Sequence, residues 1–83
     1  MSKLDVYISK TCWACEEARR IAVDISPLYP TVVVELRDIG DARRPERVFA
    51  TPTYVLDGRI IFLGNPTLEQ LAAKLATGQD ASK

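Results

Sequence analysis

The chain of 83 residues contains no histidine, two cysteines and no excess of charge of either sign. Without histidine it can form neither a Cys-His nor a Ser-His nucleophilic pair, nor a metal site with imidazole ligands. Eleven basic and eleven acidic residues cancel, so nothing in the charge favours nucleic acid or an anionic membrane surface. No apolar run approaches the roughly 20 residues that cross a bilayer. We therefore expect no nucleic-acid partner, no membrane insertion and no metal.

The composition is otherwise that of one small globular domain. A hydrophobic content of 47% is sufficient for a core, and the length is that of one domain. We expect the folded domain to cover residues 1–78 and residues 79–83 to form a flexible tail. The first residues have no features of a secretory signal, and the cysteines are few. The expected location is the cytoplasm, where the thiols would cycle between redox states.

Hydrophobic periodicity divides the chain into alternating strands and helices. Alternation of apolar and polar residues predicts strands, and apolar spacings of three and four predict helices. The predicted elements are strands 4–8 and 31–36, helices 16–25 and 41–47, a hairpin of strands 53–56 and 59–63 around Asp57-Gly58, and a helix from 66 or 67. The order is β-α-β-α-β-β-α, that of an α/β fold, with a right-handed crossover between parallel strands 4–8 and 31–36.

Cys12 and Cys15 lie where the first strand meets the first helix. A C-x-x-C motif at such a junction is typical of a thiol–disulfide redox site, and residues three apart lie on one side of a helix. Cys12 is expected in the first helical turn, where amide groups and the positive end of the macrodipole would favour its thiolate. Lys10 and Thr11 are the candidates for tuning its pKa. Cys15 falls on the apolar stripe, so Cys12 is predicted to attack and Cys15 to resolve.

Three other interpretations of the two cysteines are open. A structural disulfide across so short a loop would stabilise the fold by on the order of 2 kcal/mol, less than longer loops provide. Half of a zinc site is a second interpretation, although zinc takes four ligands and this chain offers two thiols. Two coincidental core cysteines are a third. The redox interpretation accounts best for the position of the motif, and it requires no cofactor.

The chain resembles the thioredoxin and glutaredoxin superfamily over nearly its whole length. Residues 7–15 are similar to the pattern Tyr-x-x-x-Thr-Cys-x-x-Cys of small glutaredoxin-like proteins, and residues 48–53 to Val-x-x-Thr-Pro-Thr. The resemblance implies a thioredoxin-like fold, in which a four-stranded mixed sheet is flanked by helices. It also implies a cis-proline at Pro52 packed against the dithiol. Thr51 would offer its backbone to an extended substrate segment.

The sequence also departs from both branches of that superfamily. Cys-Trp-Ala-Cys is neither the usual thioredoxin nor the usual glutaredoxin motif, and Val6 stands where thioredoxins carry a buried acid. Gly64-Asn65 matches half of the segment with which glutaredoxins hold glutathione. Trp13 and Ala14, between the cysteines, would face outward and contact a substrate. The other interpretation of Trp13 is a ring folded onto the domain to cover the core.

These patterns predict a protein-disulfide oxidoreductase. Its expected partners are protein substrates that contain disulfides and a reductase that regenerates the dithiol. One alternative is a glutaredoxin that uses glutathione, bound near Pro52 and Asn65. An alternative of another class is a thioredoxin-like module that binds a protein without turnover.

Overall fold

The computed structural model describes residues 2–10, 12–40 and 45–80. The elements in chain order are β1 (Ser2–Ile8), α1 (Cys15–Ile25), a 3₁₀ turn (Ser26–Leu28), β2 (Val32–Asp38), β3 (Thr53–Leu56), β4 (Arg59–Leu63) and α2 (Leu68–Asp80). Neither α1 nor α2, the α-helices of the described part of the chain, is long and apolar enough to cross a membrane.

The strands form one four-stranded sheet in the order β2-β1-β3-β4. β1 and β2 are parallel, whereas β3 is antiparallel to both β1 and β4. The sheet is therefore mixed, and the predicted α/β, thioredoxin-like fold is confirmed. β2 extends two residues beyond the prediction, to Asp38, because its pairing with β1 continues to Ile8.

The hairpin between β3 and β4 has the bounds that the sequence predicts. Asp57 has φ +50° and Gly58 has φ +84°, so both turn residues adopt the left-handed conformation. Two such residues in a row are characteristic of a type I′ turn, whose twist matches that of the flanking strands. Asp57 also binds β1: its carboxylate accepts from the Lys3 N–H at 2.8 Å.

Both helices pack on the same face of the sheet. Alternate residues of β1 and β3 point toward them, and the buried cluster comprises Leu4, Val6, Ile8, Cys15, Ala18, Ile21, Ile25, Val32, Tyr54, Leu56, Leu71 and Leu75. The opposite face carries a smaller cluster, in which Val48 covers Tyr7 and Val55. The main core thus lies beneath α1, and it fixes the position of the helix that begins at Cys15.

Two predicted segments differ from the structure. Of the helix predicted over 41–47, residues 41–44 lie outside the described residues, and 45–47 form a turn that the Val48 N–H closes onto the Pro45 carbonyl at 3.0 Å. A proline ring fits only the first turn of a helix. α2 continues to Asp80, so residues 79 and 80 of the predicted tail are helical, and 81–83 lie outside the described residues.

Candidate active site

Cys12 and Cys15 are joined by a disulfide, with their Cα atoms 5.3 Å apart. That separation lies within the range of about 4.4–6.8 Å that disulfides require. Cys15 is the first residue of α1 and only 1% exposed, whereas Cys12 is half-buried at the margin of the main core. The structure thus brings the two predicted thiols together in unequal surroundings.

A short turn separates Cys12 from the helix. The Cys15 N–H donates to the Cys12 carbonyl at 3.0 Å, and the Glu16 N–H donates to the Trp13 carbonyl at 3.3 Å. Cys12 therefore precedes α1, and the expectation that it lies in the first helical turn is wrong. The physical reason is that residues 12–14 are used to close this turn. Cys12 nevertheless stays beside the N-terminal end of α1, where the macrodipole is positive.

Three loops meet at one end of the sheet because of how the strands pair. β1 ends near Ile8, where β3 begins, since Tyr7 pairs with Thr53. β4 ends at the same place, since Thr53 also pairs with Leu63. The loop that carries the cysteines, the loop before β3 and the corner after β4 are consequently neighbours.

Hydrogen bonds join the loop before β3 to the cysteine loop. The Cys12 N–H donates to the Ser9 carbonyl at 3.4 Å, and the Ser9 hydroxyl lies 3.4 Å from the Thr51 hydroxyl. The Thr51–Pro52 peptide bond is cis, and Pro52 is buried. The Pro52 carbonyl accepts from the Gly64 N–H at 2.8 Å. Thr51 and Pro52 thus lie alongside the loop that carries the dithiol.

The other predicted site residues differ in exposure. Trp13 is 89% exposed, so its ring is not folded onto the core. Ala14 is half-buried and Lys10 is exposed, while Thr11 lies outside the described residues. Sequence reasoning missed two exposed apolar residues, Phe49 at 77% in the loop before β3 and Leu63 at 70% at the end of β4. The signal for Phe49 was its position just before Ala50-Thr51-Pro52.

Sequence reasoning also missed Tyr54, and it considered Asn65 only as a contact for glutathione. The Asn65 side-chain amide donates to the Ala14 carbonyl at 2.9 Å, and the Tyr54 hydroxyl donates to the Asn65 carbonyl oxygen, also at 2.9 Å. Burial, helped by the negative charge of Glu17, raises the pKa of Tyr54 to about 12. Tyr54 is therefore neutral and a donor at physiological pH.

Comparison with known proteins places this geometry in a family. No family model matches the chain. A thioredoxin of Methanocaldococcus jannaschii is 30% identical over 74 residues, which cover 83% of this chain and 86% of that protein. The chain belongs to the thioredoxin family. With its paired Cys12 and Cys15, this thioredoxin-family protein is a thiol–disulfide oxidoreductase.

Two further relatives are much longer proteins. A Bacillus subtilis NADH dehydrogenase is 35% identical over 81 residues, and an alkyl hydroperoxide reductase protein of Xanthomonas campestris, its F component, is 29% identical over 87 residues. These matches cover 93% and 98% of the thioredoxin-family chain but 16% of each relative. The chain therefore corresponds to a small part of either protein.

Solved structures agree on the fold. Thioredoxin O2 of Arabidopsis thaliana in its oxidized state superposes with a TM-score of 0.71 at 18% identity, covering 93% of this chain and 74% of that one. Fasciola hepatica thioredoxin gives 0.72 at 17% identity, covering 92% and 79%. At such identities the likeness establishes the thioredoxin fold alone.

Proposed function

We propose that the protein reduces or exchanges disulfides of protein substrates, with Cys12 as the attacking residue and Cys15 as the resolving residue. One observation carries the assignment of roles: Cys15 is 1% exposed, whereas Cys12 is half-buried. A thiolate must reach the substrate sulfur to attack it, and a buried partner can still react within the same loop.

The proposed reaction transfers two electrons to the substrate. The Cys12 thiolate attacks one sulfur of the substrate disulfide, that S–S bond breaks, and a mixed disulfide forms as the first substrate thiolate leaves. Cys15, as a thiolate, then attacks the Cys12 sulfur and releases the second substrate thiolate. The two protons lost by Cys12 and Cys15 end on the substrate sulfurs, and the Cys12–Cys15 disulfide remains.

The N-terminal end of α1 supports the role of Cys12. The positive end of a macrodipole lowers a nearby thiol's pKa and so increases the fraction of thiolate at neutral pH. Lys10, two residues before Cys12 and exposed, would add positive charge. Thr11 is proposed as a second tuning residue because it adjoins Cys12 in the sequence.

Substrate contacts are proposed for Trp13, Ala14, Thr51 and Pro52. Trp13 offers a large exposed ring beside the reactive sulfur, and aromatic rings supply much contact area at protein interfaces. Thr51 lies beside the cysteine loop, where an extended substrate segment would pair with its backbone in the manner of strand addition. Exposed Leu63 would extend the apolar contact.

We further propose that an NADH-dependent reductase restores the dithiol. Support comes from the names of the two long relatives, an NADH dehydrogenase and a component of an alkyl hydroperoxide reductase. Such a cycle needs a reducing compartment, so we propose that the protein acts in the cytoplasm. Glutathione is the alternative reductant, and a glutathione-linked substrate distinguishes the two.

Reduction of insulin disulfides tests the proposal. Wild type with a chemical reductant should accelerate insulin reduction, and Cys12→Ser should abolish the acceleration. Cys15→Ser cannot resolve the mixed disulfide and should accumulate a covalent complex with the substrate. Absence of turnover by wild type would contradict the proposal. Faster turnover of a glutathione mixed disulfide than of insulin would instead favour the glutaredoxin alternative.

A further inference from the structure

We propose that Asn65 is a positioning residue for the dithiol, an inference that rests on the proposed function. Asn65 lies in the corner between β4 and α2, 51 residues from Ala14 in the sequence. Its side-chain amide nevertheless bridges the Ala14 carbonyl, between the two cysteines, and the Tyr54 hydroxyl. Asn65 therefore connects the loop that forms and breaks the disulfide to the central sheet.

The chemistry of the partners fixes the orientation of the Asn65 amide. A backbone carbonyl only accepts hydrogen bonds, so Nδ2 must face Ala14. Oδ1 is then left to accept from the Tyr54 hydroxyl, which donates. A reversed amide would set two oxygens against each other at Ala14 and leave the Tyr54 donor facing an NH₂ group.

Tyr54 makes a rigid anchor for this amide. It is 0% exposed, belongs to β3 and packs edge-to-face against Phe62, with ring centroids 6.4 Å apart. Buried aromatic side chains in a sheet occupy a single well-packed position. The position of Asn65, and through it that of Ala14, is thereby set by the core of the domain.

The backbone beside Asn65 holds the second loop of the site. Gly64, with φ +90°, donates its N–H to the Pro52 carbonyl at 2.8 Å. Gly64 and Asn65 together therefore contact both the loop before β3 and the loop between the cysteines. Among the described residues, no side chain caps the N-terminus of α1 at Ala14, so the Asn65 contact is the side-chain restraint found there.

This contact should favour the disulfide over the dithiol. Closing the S–S bond requires the turn from Cys12 to Cys15 to hold its Cα atoms 5.3 Å apart. Once that bond is broken the turn has more freedom, and the Asn65 bond to Ala14 restricts it toward the closed geometry. A restraint that stabilises the closed turn more than the open one raises the equilibrium constant for oxidation.

Equilibration with glutathione redox buffers measures that constant. Each protein dithiol reacts with one glutathione disulfide to give the protein disulfide and two glutathione thiols, which take up the two cysteine protons. Asn65→Ala should lower the equilibrium constant about fivefold, as expected for one lost hydrogen bond. A fivefold change corresponds to about 20 mV, since tenfold is about 29.6 mV for two electrons.

Three variants make the measurement specific. Asn65→Asp is nearly isosteric and keeps an acceptor for Tyr54, but it sets a carboxylate oxygen against the Ala14 carbonyl, so the constant should fall at least as far. Tyr54→Phe keeps the buried ring and removes one anchor of the amide, so the fall should be smaller. Thr67→Ala is the control, because Thr67 bonds to Gln70 at the start of α2 and not to Ala14. It should lower the unfolding midpoint and leave the constant unchanged.

Each outcome decides the inference. A lower constant in both Asn65 variants, with Thr67→Ala like wild type, supports it. Constants equal to wild type in folded Asn65→Ala or Asn65→Asp overturn it, while insulin reduction by wild type leaves the proposed function intact. A wild-type dithiol that does not exchange with glutathione disulfide at all contradicts the proposed function and this inference together.

Discussion

At the scale of single residues, Trp13 illustrates a side chain that contributes to contact and not to stability. It is 89% exposed beside the disulfide. Trp13→Ala should raise KM for a protein disulfide about 2- to 10-fold, the range expected for one aromatic contact. The rate with a small aromatic disulfide and the thermal unfolding midpoint should stay the same, because the ring buries almost no surface within the domain. Steady-state kinetics on both substrates measures the difference.

Val23 provides the matched control for Trp13. It is an apolar residue of α1, 69% exposed and farther along the helix. Val23→Ala should change neither KM value. An equal loss in both variants would mean that general surface hydrophobicity, and not a contact beside Cys12, controls substrate binding.

Tyr54 gives the molecule a pH dependence in the alkaline range. Burial raises its pKa to about 12, above the ordinary value of 10.0. The folded state therefore holds this proton more tightly than the unfolded state, so the contribution to stability is full below about pH 10 and is lost as the pH rises toward about 12. Absorbance titration should find one of the three tyrosines ionising well above the others.

The Tyr54→Phe variant isolates that contribution. Between about pH 9 and about pH 11, the wild-type protein should lose stability relative to the variant, by up to about 1.4 kcal/mol for each pH unit above about 10. Chemical denaturation at each pH measures the difference. Parallel pH profiles for the two proteins would show that Tyr54 does not ionise differently in the folded and unfolded states.

At the scale of elements, the β3–β4 hairpin depends on its turn. Gly58 has φ +84°, and a Cβ there would come no closer than 4.0 Å to Arg47. The cost of Gly58→Ala is therefore conformational and should be about 1 kcal/mol in the free energy of unfolding. Gly58→Asn should cost less, because asparagine tolerates the left-handed region. Equal losses in both variants, measured by chemical denaturation, would contradict this account.

The hairpin was also the element that the sequence predicted best. Asp57-Gly58 between two apolar runs specifies both the turn and the ends of its strands, since all of the information is local. The start of α1 was predicted less well, because residues 12–14 close a turn whose hydrogen bonds no periodicity reveals. Local chemistry thus determines hairpins more completely than helix ends.

At the scale of the whole molecule, the site depends on contacts between distant segments. Cys12 and Cys15 are recognisable because the motif is contiguous, and Pro52 was noted because of a family resemblance. Asn65 reaches Ala14 across 51 residues, and only the pairing of β4 with β3 brings it there. Such a contact has no signature in one sequence, so the support around the dithiol could not be predicted.

The placement of both helices on one sheet face has a consequence for the site. α1 buries Cys15 against the main core, while Cys12 lies at the margin of that core. The fold as a whole, and not the spacing of the cysteines, therefore makes the two sulfurs unequal. The central claim of this account is that Cys12 is the reactive member of the pair.

Alkylation of the fully reduced protein as a function of pH tests this claim most directly. Limiting iodoacetamide is added at each pH, and peptide mapping by mass spectrometry identifies the modified cysteine; Cys15→Ser and Cys12→Ser serve as single-thiol references. The account predicts that Cys12 reacts first, with a pKa below the value of about 8.5 for a free thiol. Preferential modification of Cys15, or a Cys12 that titrates like a free thiol, would contradict it.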